Sequence, residues 1–293
     1  MDNSFQLESS EHERIYSKII EPTSFLDTSS VDKPRLVIVA AQTGAGKSKL
    51  VTLSLQEFSD GNVVTVNTDE LRAYHPHYDE VVMLDDTRSA ERTHHDASSW
   101  KNKLLRRCVE TRRNIVLEGV FKDSKSLLEV IELAKHAGYM VVLRVVASHE
   151  RFSVWGIKLR YEGEKKSRGH GRYVPIEYHN ECYQSLLDSI AAAERQKVAD
   201  SINVYDRNGA MLYSNTLHNG DWKDAPKAVA AVEQGRDRKL TKVEQRQYKE
   251  SWSKVFEYMH QRGACSDEID RVKELAERFL MELEDTGTET EQK

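Results

Sequence analysis

The sequence predicts an α/β fold: a P-loop kinase-like, doubly wound parallel sheet with an added C-terminal helical hairpin. Three observations lead there. Apolar, β-branched runs alternate with helical stretches of about 10 to 15 residues, the pattern of strand-helix-strand units. A glycine-containing loop, "AQTGAGKS" from Ala41 to Ser48, follows the first of these runs. Two amphipathic stretches with no strand between them follow residue 235.

Composition sets the outer limits. The 293 residues allow one sizeable domain or a domain with an appendage. With 39% hydrophobic and 31% charged residues the chain reads as a soluble globular protein, and a net charge of −5 argues against a general nucleic-acid binder. No apolar run approaches membrane-spanning length, and the start "MDNSFQLESSEHER" carries no signal-peptide core, so a cytoplasmic protein without a membrane partner is expected. Cys108, Cys182 and Cys265 are far apart and read as free thiols. The histidine clusters His75-x-His77 and His94-His95-Asp96 lack further ligands at a metal-binding interval.

In chain order, "EHERIYSKII" (residues 11–20) predicts a short helix ended by Glu21-Pro22, since the residue before proline avoids the helical region. Residues 1–34 are thus an N-terminal helix and linker. The first strand runs from Leu36 to Ala40, and a helix from Lys47 to Phe58 follows the loop. Ser59-Asp60-Gly61-Asn62 turns the chain into a second strand, "VVTVN", ending near Asn67. Then come a helix from about Ser98 to Thr111, the strand "NIVLEG", a helix from about Ser124 to Ala137, and the strand "YMVVLRVVA". Runs this continuously apolar belong to strands covered on both faces, as in a parallel sheet. In "INVYDRNGAMLYSN", Asn208-Gly209 marks an edge hairpin closing a domain of residues 35–220.

The segment 236–285 reads as an αα-hairpin. Thr241-x-x-Glu244 is a capping box, Tyr248, Trp252, Val255, Phe256 and Met259 share one helical face, and Gly263 stops the helix. Ile269, Val272, Ala276, Phe279, Leu280 and Leu283 share a face of the next. These faces must dock on something, either as plain structure or as a regulatory or partner-binding module.

The loop carries the chemistry. It departs from the pattern G-x-x-x-x-G-K-S/T only at Ala41. Backbone N–H groups from Gln42 to Ser48 can curl around an anion, with the positive end of the following helix aimed at it. Gly44 and Gly46 supply backbone freedom, Lys47 a charge for the β- and γ-phosphates, and Ser48 a hydroxyl for Mg²⁺. Gln42, Thr43, Gly44, Ala45, Gly46, Lys47, Ser48 and Leu50 form the expected nucleotide-binding set. The plain alternative is a strand-turn-helix with a solvent-facing lysine.

In such sheets ligands lie beyond the C-terminal ends of the strands. There Asp69 is the candidate base that accepts a proton from an attacking hydroxyl, or merely a helix cap. Glu118 is placed to hold the acceptor or to act beyond the first ligands of Mg²⁺, and Arg72 is counted with Asp69 and Glu118 at the substrate. After the fourth strand, "ERFSVWGIKLRYEGEKKSRGHGRYVP" suggests a helix bearing Arg160 and then a mobile basic loop with Gly163, Gly169, Gly171 and Arg172, suited to close over phosphates. A solvated charged loop is the plainer reading.

The combination "AQTGAGKS", "VNTDELRAYHPHYDEV", "NIVLEGVF", "IKLRYE" and "GRYVP", in this order, resembles the zeta toxin family of bacterial toxin–antitoxin systems over roughly residues 10–215. The resemblance implies a kinase that uses ATP and Mg²⁺ to phosphorylate the 3′-hydroxyl of the amino sugar of UDP-N-acetylglucosamine, which poisons peptidoglycan precursor synthesis. It implies Lys47 and Ser48 at ATP and Mg²⁺, Asp69 as base, Glu118 at the acceptor, and Arg160 and Arg172 on the phosphates. It also implies an antitoxin partner that covers the ATP site, so the C-terminal helices are expected to regulate in cis or to recruit one. Ala41, Asn67 and Val120 depart from residues common in the family, and Val120 removes a hydroxyl from the acceptor side. Two alternatives stay open: a P-loop kinase for another nucleotide or small molecule, and a nucleotide-dependent switch or assembly protein that phosphorylates no acceptor.

Overall fold

The computed structural model describes residues 5–285. Its strands are β1 (Arg35–Ala40), β2 (Val64–Val66), β3 (Ile115–Gly119), β4 (Met140–Ala147), β5 (Ser201–Asp206), β6 (Met211–His218) and β7 (Asp221–Trp222). They form one sheet in the order β2-β3-β1-β4-β5-β6-β7. The first five in that order are parallel, and β6 and β7 are antiparallel additions. Leu36 to Ala40 of the central β1 are fully buried, as a strand covered on both faces requires. Register sets the site: Val39 and Ala40 lie opposite Glu118 and Gly119 on one side and Arg144 and Val145 on the other.

The helices are α1 (Ser9–Ile15), α2 (Glu21–Phe25), α3 (Lys47–Leu55), α4 (Thr68–Leu71), α5 (Tyr78–Leu84), α6 (Ser89–Arg92), α7 (His94–Glu110), α8 (Ser124–His136), α9 (Glu150–Arg168), α10 (Ile176–Gln196), α11 (Ala228–Arg236), α12 (Lys242–Gln261) and α13 (Ser266–Asp285). The N-terminal helix does not end at Glu21-Pro22 as its sequence suggested. A π-helical turn, Tyr16–Ile20, joins α1 to α2, so the helical path continues past Pro22 to Phe25, with the wider turn directly before the proline. The helix expected to bear Arg160 is longer than its sequence suggested: α9 runs on through Gly163 to Arg168, Gly169 ends it at φ +82° with its N–H on the Lys165 carbonyl at 2.9 Å, and the loop with Gly171 and Arg172 begins only there.

Side chains from α7, α8 and α10, including Trp100, Leu104, Ile131, Leu186 and Ile190, pack with the sheet into the main core. A smaller cluster joins α3 to the sheet through Leu50, Val37, Val39 and Phe58. A third holds the C-terminal helices, with Tyr248, Trp252, Val255, Met259 and Phe279 packed on Val154 of α9. Each such side chain contributes about 1.5–3 kcal/mol when fully buried. The capping box is formed: Thr241 Oγ1 accepts from the Glu244 amide at 3.2 Å and Glu244 Oε2 accepts from the Thr241 amide at 2.8 Å. At Gly163 a Cβ would stand 3.3 Å from the Tyr258 ring, so α9 and α12 approach closely there. Among the described residues no helix is long and apolar enough to cross a membrane.

Candidate active site

The loop between β1 and α3 forms a turn with Gly44 at φ +76° and Gly46 at φ +91°, the left-handed region that glycine enters freely. Gly44 has a second constraint, since a Cβ there would collide with the Ser153 carbonyl oxygen on α9. The contact is reciprocal: a Cβ on Gly156 would stand 2.6 Å from the Gly44 carbonyl oxygen. The first amides of α3 have no helical partner and carry the positive end of its dipole, so the turn is an anion cradle.

Lys47 Nζ donates to the carbonyl oxygens of Ala41 and Gln42, each at 3.1 Å, and lies 4.0 Å from Glu118 Oε1. Burial pulls its ammonium below the usual lysine range against the pull of Glu118 and Asp69. Ser48 is exposed at the start of α3. Thr43 Oγ1 and Gln42 Oε1 are buried without a hydrogen-bond partner. The Gln42 amide faces the interior, donating to the Ser148 carbonyl at 2.7 Å and to Ser153 Oγ at 3.3 Å, so only its backbone belongs to the cradle. Leu50, expected with the nucleotide-binding residues, is corrected: it is 2% exposed in the core between α3 and the sheet, because one turn into the helix its side chain faces inward.

Asp69 stands at the start of α4, beyond β2. The cap of that helix is Asn67, whose Oδ1 accepts from the Asp69 amide at 2.9 Å, so the Asp69 carboxylate is not spent as a cap. Its Oδ2 meets Arg172 Nη1 at 2.5 Å and its Oδ1 meets Arg72 Nε at 3.4 Å. Burial alone would raise the Asp69 carboxyl, but Arg172, then Arg72, Arg160 and Lys47, outweigh it and hold it below its ordinary value. Arg72, expected at the substrate, is 8% exposed and donates through Nη1 to the Ala90 carbonyl at 2.7 Å and to Thr93 Oγ1 at 2.8 Å, so it braces Asp69 from within.

Arg160, on α9, has a buried Nε with no hydrogen-bond partner among the described residues. Burial first, and Arg172 second, work against its charge, while Asp69, Glu164 and Glu118 favour it. Lys47, Asp69, Glu118, Arg160 and Arg172 therefore form one electrostatic cluster. Three contributors were not singled out as site residues in the sequence: Asn67, which bridges Glu118 to the Asp69 backbone; Glu164, which accepts from the Arg172 amide at 2.7 Å; and Ser153, against Gly44. Asn67 was visible only as a departure from the family; no local pattern marks the other two.

Beside the cradle lies a cavity of about 280 Å³. A Cβ on Gly46 would stand 3.8 Å from the carbonyl oxygen of Arg207, which lines it. The Arg207 guanidinium lies 4.8 Å from the Phe152 ring centre and 5.4 Å from that of Trp155. Tyr248 and Ser251 of α12 supply another part of the lining. α12 is fastened there by Tyr248 OH donating to the Arg151 carbonyl and Trp155 Nε1 donating to the Ser251 carbonyl, both at 3.1 Å.

A parallel sheet ordered 2-3-1-4-5, a phosphate-type loop after the central strand, and carboxylates and arginines gathered at its mouth define a protein of the P-loop kinase-like class. The zeta toxin family model matches residues 22–218, and the chain belongs to that family. It is 27% identical over 187 residues to Toxin PezT of Streptococcus pneumoniae serotype 4, an alignment spanning 64% of this chain and 74% of that one. It is 23% identical over 187 residues to Toxin zeta of Enterococcus hirae, spanning 64% of this chain and 65% of that one. In structure it is similar to a chain of the PezAT chromosomal toxin–antitoxin system of Streptococcus pneumoniae, with a TM-score of 0.74 and 20% identity over 89% of this chain and 100% of that one. It is also similar in fold to a chain of the AvrRxo1-ORF1:AvrRxo1-ORF2 complex with ATP, with a TM-score of 0.51 and 13% identity over 85% of this chain and 83% of that one.

Proposed function

We propose that the protein is an ATP-dependent toxin kinase that phosphorylates the 3′-hydroxyl of UDP-N-acetylglucosamine and so blocks peptidoglycan precursor synthesis. The observation that carries this reading is Asp69: a carboxylate free of capping duty, at the mouth of a phosphate cradle, gripped by Arg172 at 2.5 Å. A protein that only binds and releases a nucleotide has no use for a base at that point.

In the proposed reaction the acceptor oxygen attacks the γ-phosphorus, the bond to the β–γ bridging oxygen breaks, and ADP leaves. The hydroxyl proton passes to Asp69. Lys47 and the loop amides hold the phosphates, and Arg160 and Arg172 offset the negative charge on the transferring group. An anion that draws Arg172 toward itself loosens its hold on Asp69 and raises the carboxylate's proton affinity as the proton must be taken. The oxygen donors fit Mg²⁺: Ser48, with Glu118 directly or through water, would hold the ion, which neutralises phosphate charge. The base of ATP is assigned to the cavity beside Arg207, so α12 borders the nucleotide site. On this reading residues 35–220 are the kinase domain and residues 236–285 are placed to act on it, in cis or by recruiting an antitoxin.

Val120, following Glu118-Gly119 without a side-chain hydroxyl, supports a second reading in which another nucleotide or small molecule is the acceptor. Incubation with Mg·ATP and UDP-N-acetylglucosamine, followed by phosphorus NMR and mass spectrometry, separates these. A sugar 3′-phosphate is expected. ADP formed only with another acceptor would establish the second reading, and ATP binding with no transfer to any acceptor would establish a switch.

A further inference from the structure

We infer that Asp86, which no motif marks, is a positioning residue that fixes the backbone carrying Arg172 and so sets the Arg172 grip on Asp69. The inference rests on the proposed phosphoryl transfer for its kinetic consequence, but not for its structural one.

Asp86 lies in the turn between α5 and α6 and is 8% exposed. A carboxylate so deep must have its oxygens satisfied, and among the described residues every partner comes from α9 or from the loop after it. Oδ1 accepts from Tyr161 OH at 3.1 Å; Oδ2 accepts from the Gly171 amide at 3.0 Å and lies 3.2 Å from Lys165 Nζ. Lys165 Nζ also donates to Tyr161 OH at 2.7 Å, so the three side chains form one closed group.

The bond to Gly171 is the consequential one. Residues 169–175 have no helix or strand to hold them, yet Arg172 must project from this stretch to Asp69. Asp86 pins the backbone at Gly171, and Glu164 Oε2 pins it at Arg172 with a 2.7 Å bond to the amide. Glycine is required at 171 because a Cβ would collide with the Tyr161 carbonyl oxygen, so the loop lies directly on α9. Two consecutive pinned amides leave the Arg172 Cα little room, and the guanidinium meets Asp69 Oδ2 at 2.5 Å. Charge-assisted bonds to a shielded carboxylate are about twice as strong as neutral ones, which suits a clamp of this kind.

The test is Asp86→Asn, with Tyr161→Phe as a milder variant should the first fail to fold. An Asn retains one acceptor but turns an NH₂ group on the remaining donors. Hydrogen exchange across residues 169–174 is read alongside transfer kinetics in wild-type and Arg172→Ala backgrounds. The expected result is exchange in that segment faster by about 10-fold with the sheet unchanged, and kcat lower by about 10- to 100-fold with little change in KM for ATP. In the Arg172→Ala background the same variant has no further effect, because its influence travels through Arg172. Unchanged loop exchange, or losses that multiply in the double variant, overturns the assignment. If wild type transfers no phosphate to UDP-N-acetylglucosamine, the proposed function fails, and the exchange data still decide the role of Asp86.

Discussion

Asn67 Nδ2 donates to Glu118 Oε2 at 3.1 Å, while Oδ1 of the same side chain accepts from the Asp69 amide. The parallel register explains the meeting: Val66 pairs with Leu117, so the next residues of β2 and β3 are side by side as both strands end. One amide thus links the Glu118 carboxylate to the backbone that carries Asp69, and only a side chain with both a donor and an acceptor can do so. An aspartate at 67 would keep the cap but face Glu118 with a second negative charge. Asn67→Asp is therefore expected to replace a hydrogen bond by a repulsion at Glu118 and to lower kcat by about 10-fold, with ATP affinity nearly unchanged. Steady-state kinetics and nucleotide titration check this.

The grip of Arg172 on Asp69 predicts a pH dependence. The Asp69 carboxyl is depressed, so its base form persists as pH falls through the ordinary carboxylate range near 4. The acid limb of kcat/KM, which reports the free enzyme, should therefore lie below that value. Arg172→Gln removes the foremost cause of the depression, and the limb should move to higher pH while the rate falls. The stability that these charges give Asp69 has the same sign: it is present above the unfolded pKa and lost as pH drops through the folded one.

Arg262, at the end of α12, makes a two-pronged contact with Glu162 of α9, at 2.6 and 3.2 Å, and also pairs with Glu268 of α13. Glu162 is 1% exposed. Removing the cation leaves a buried charge without compensation, so Arg262→Ala is expected to cost about 3–5 kcal/mol in urea unfolding. Combining it with Glu162→Gln should return much of that loss.

The cavity beside Arg207 predicts a steric block. Ser251 lies on its α12 wall, and Ser251→Trp would fill it with an indole. Calorimetry with Mg·ATP should show affinity reduced by about 10-fold or more, with inorganic pyrophosphate binding at the cradle unaffected.

Sequence revealed most clearly what is local. The loop from Ala41 to Ser48, the Asn208-Gly209 hairpin and the Thr241 capping box each depend on neighbours within a few residues, and all three form. The strands β1, β3 and β4 were legible because burial on both faces leaves a continuous apolar run. Arg172 meets Asp69 across 103 positions, and no periodicity encodes such a contact. The stretch from Gly163 to Arg168 was read as the start of a loop because glycine and charge usually signal one, whereas α9 continues through it with the Tyr258 ring of α12 against Gly163. Leu50 and Arg72 were assigned by proximity to a motif, and helix geometry turned both inward.

Phosphoryl transfer by this site depends on Asp69 accepting the acceptor's proton. Single-turnover transfer from Mg·ATP to UDP-N-acetylglucosamine, measured for wild type and Asp69→Ala with ATP affinity taken in parallel, tests it most directly. A loss of about 100-fold or more in the transfer rate is expected, with ATP affinity preserved within about 3-fold. An Asp69→Ala enzyme that binds ATP and transfers phosphate at the wild-type rate would contradict it.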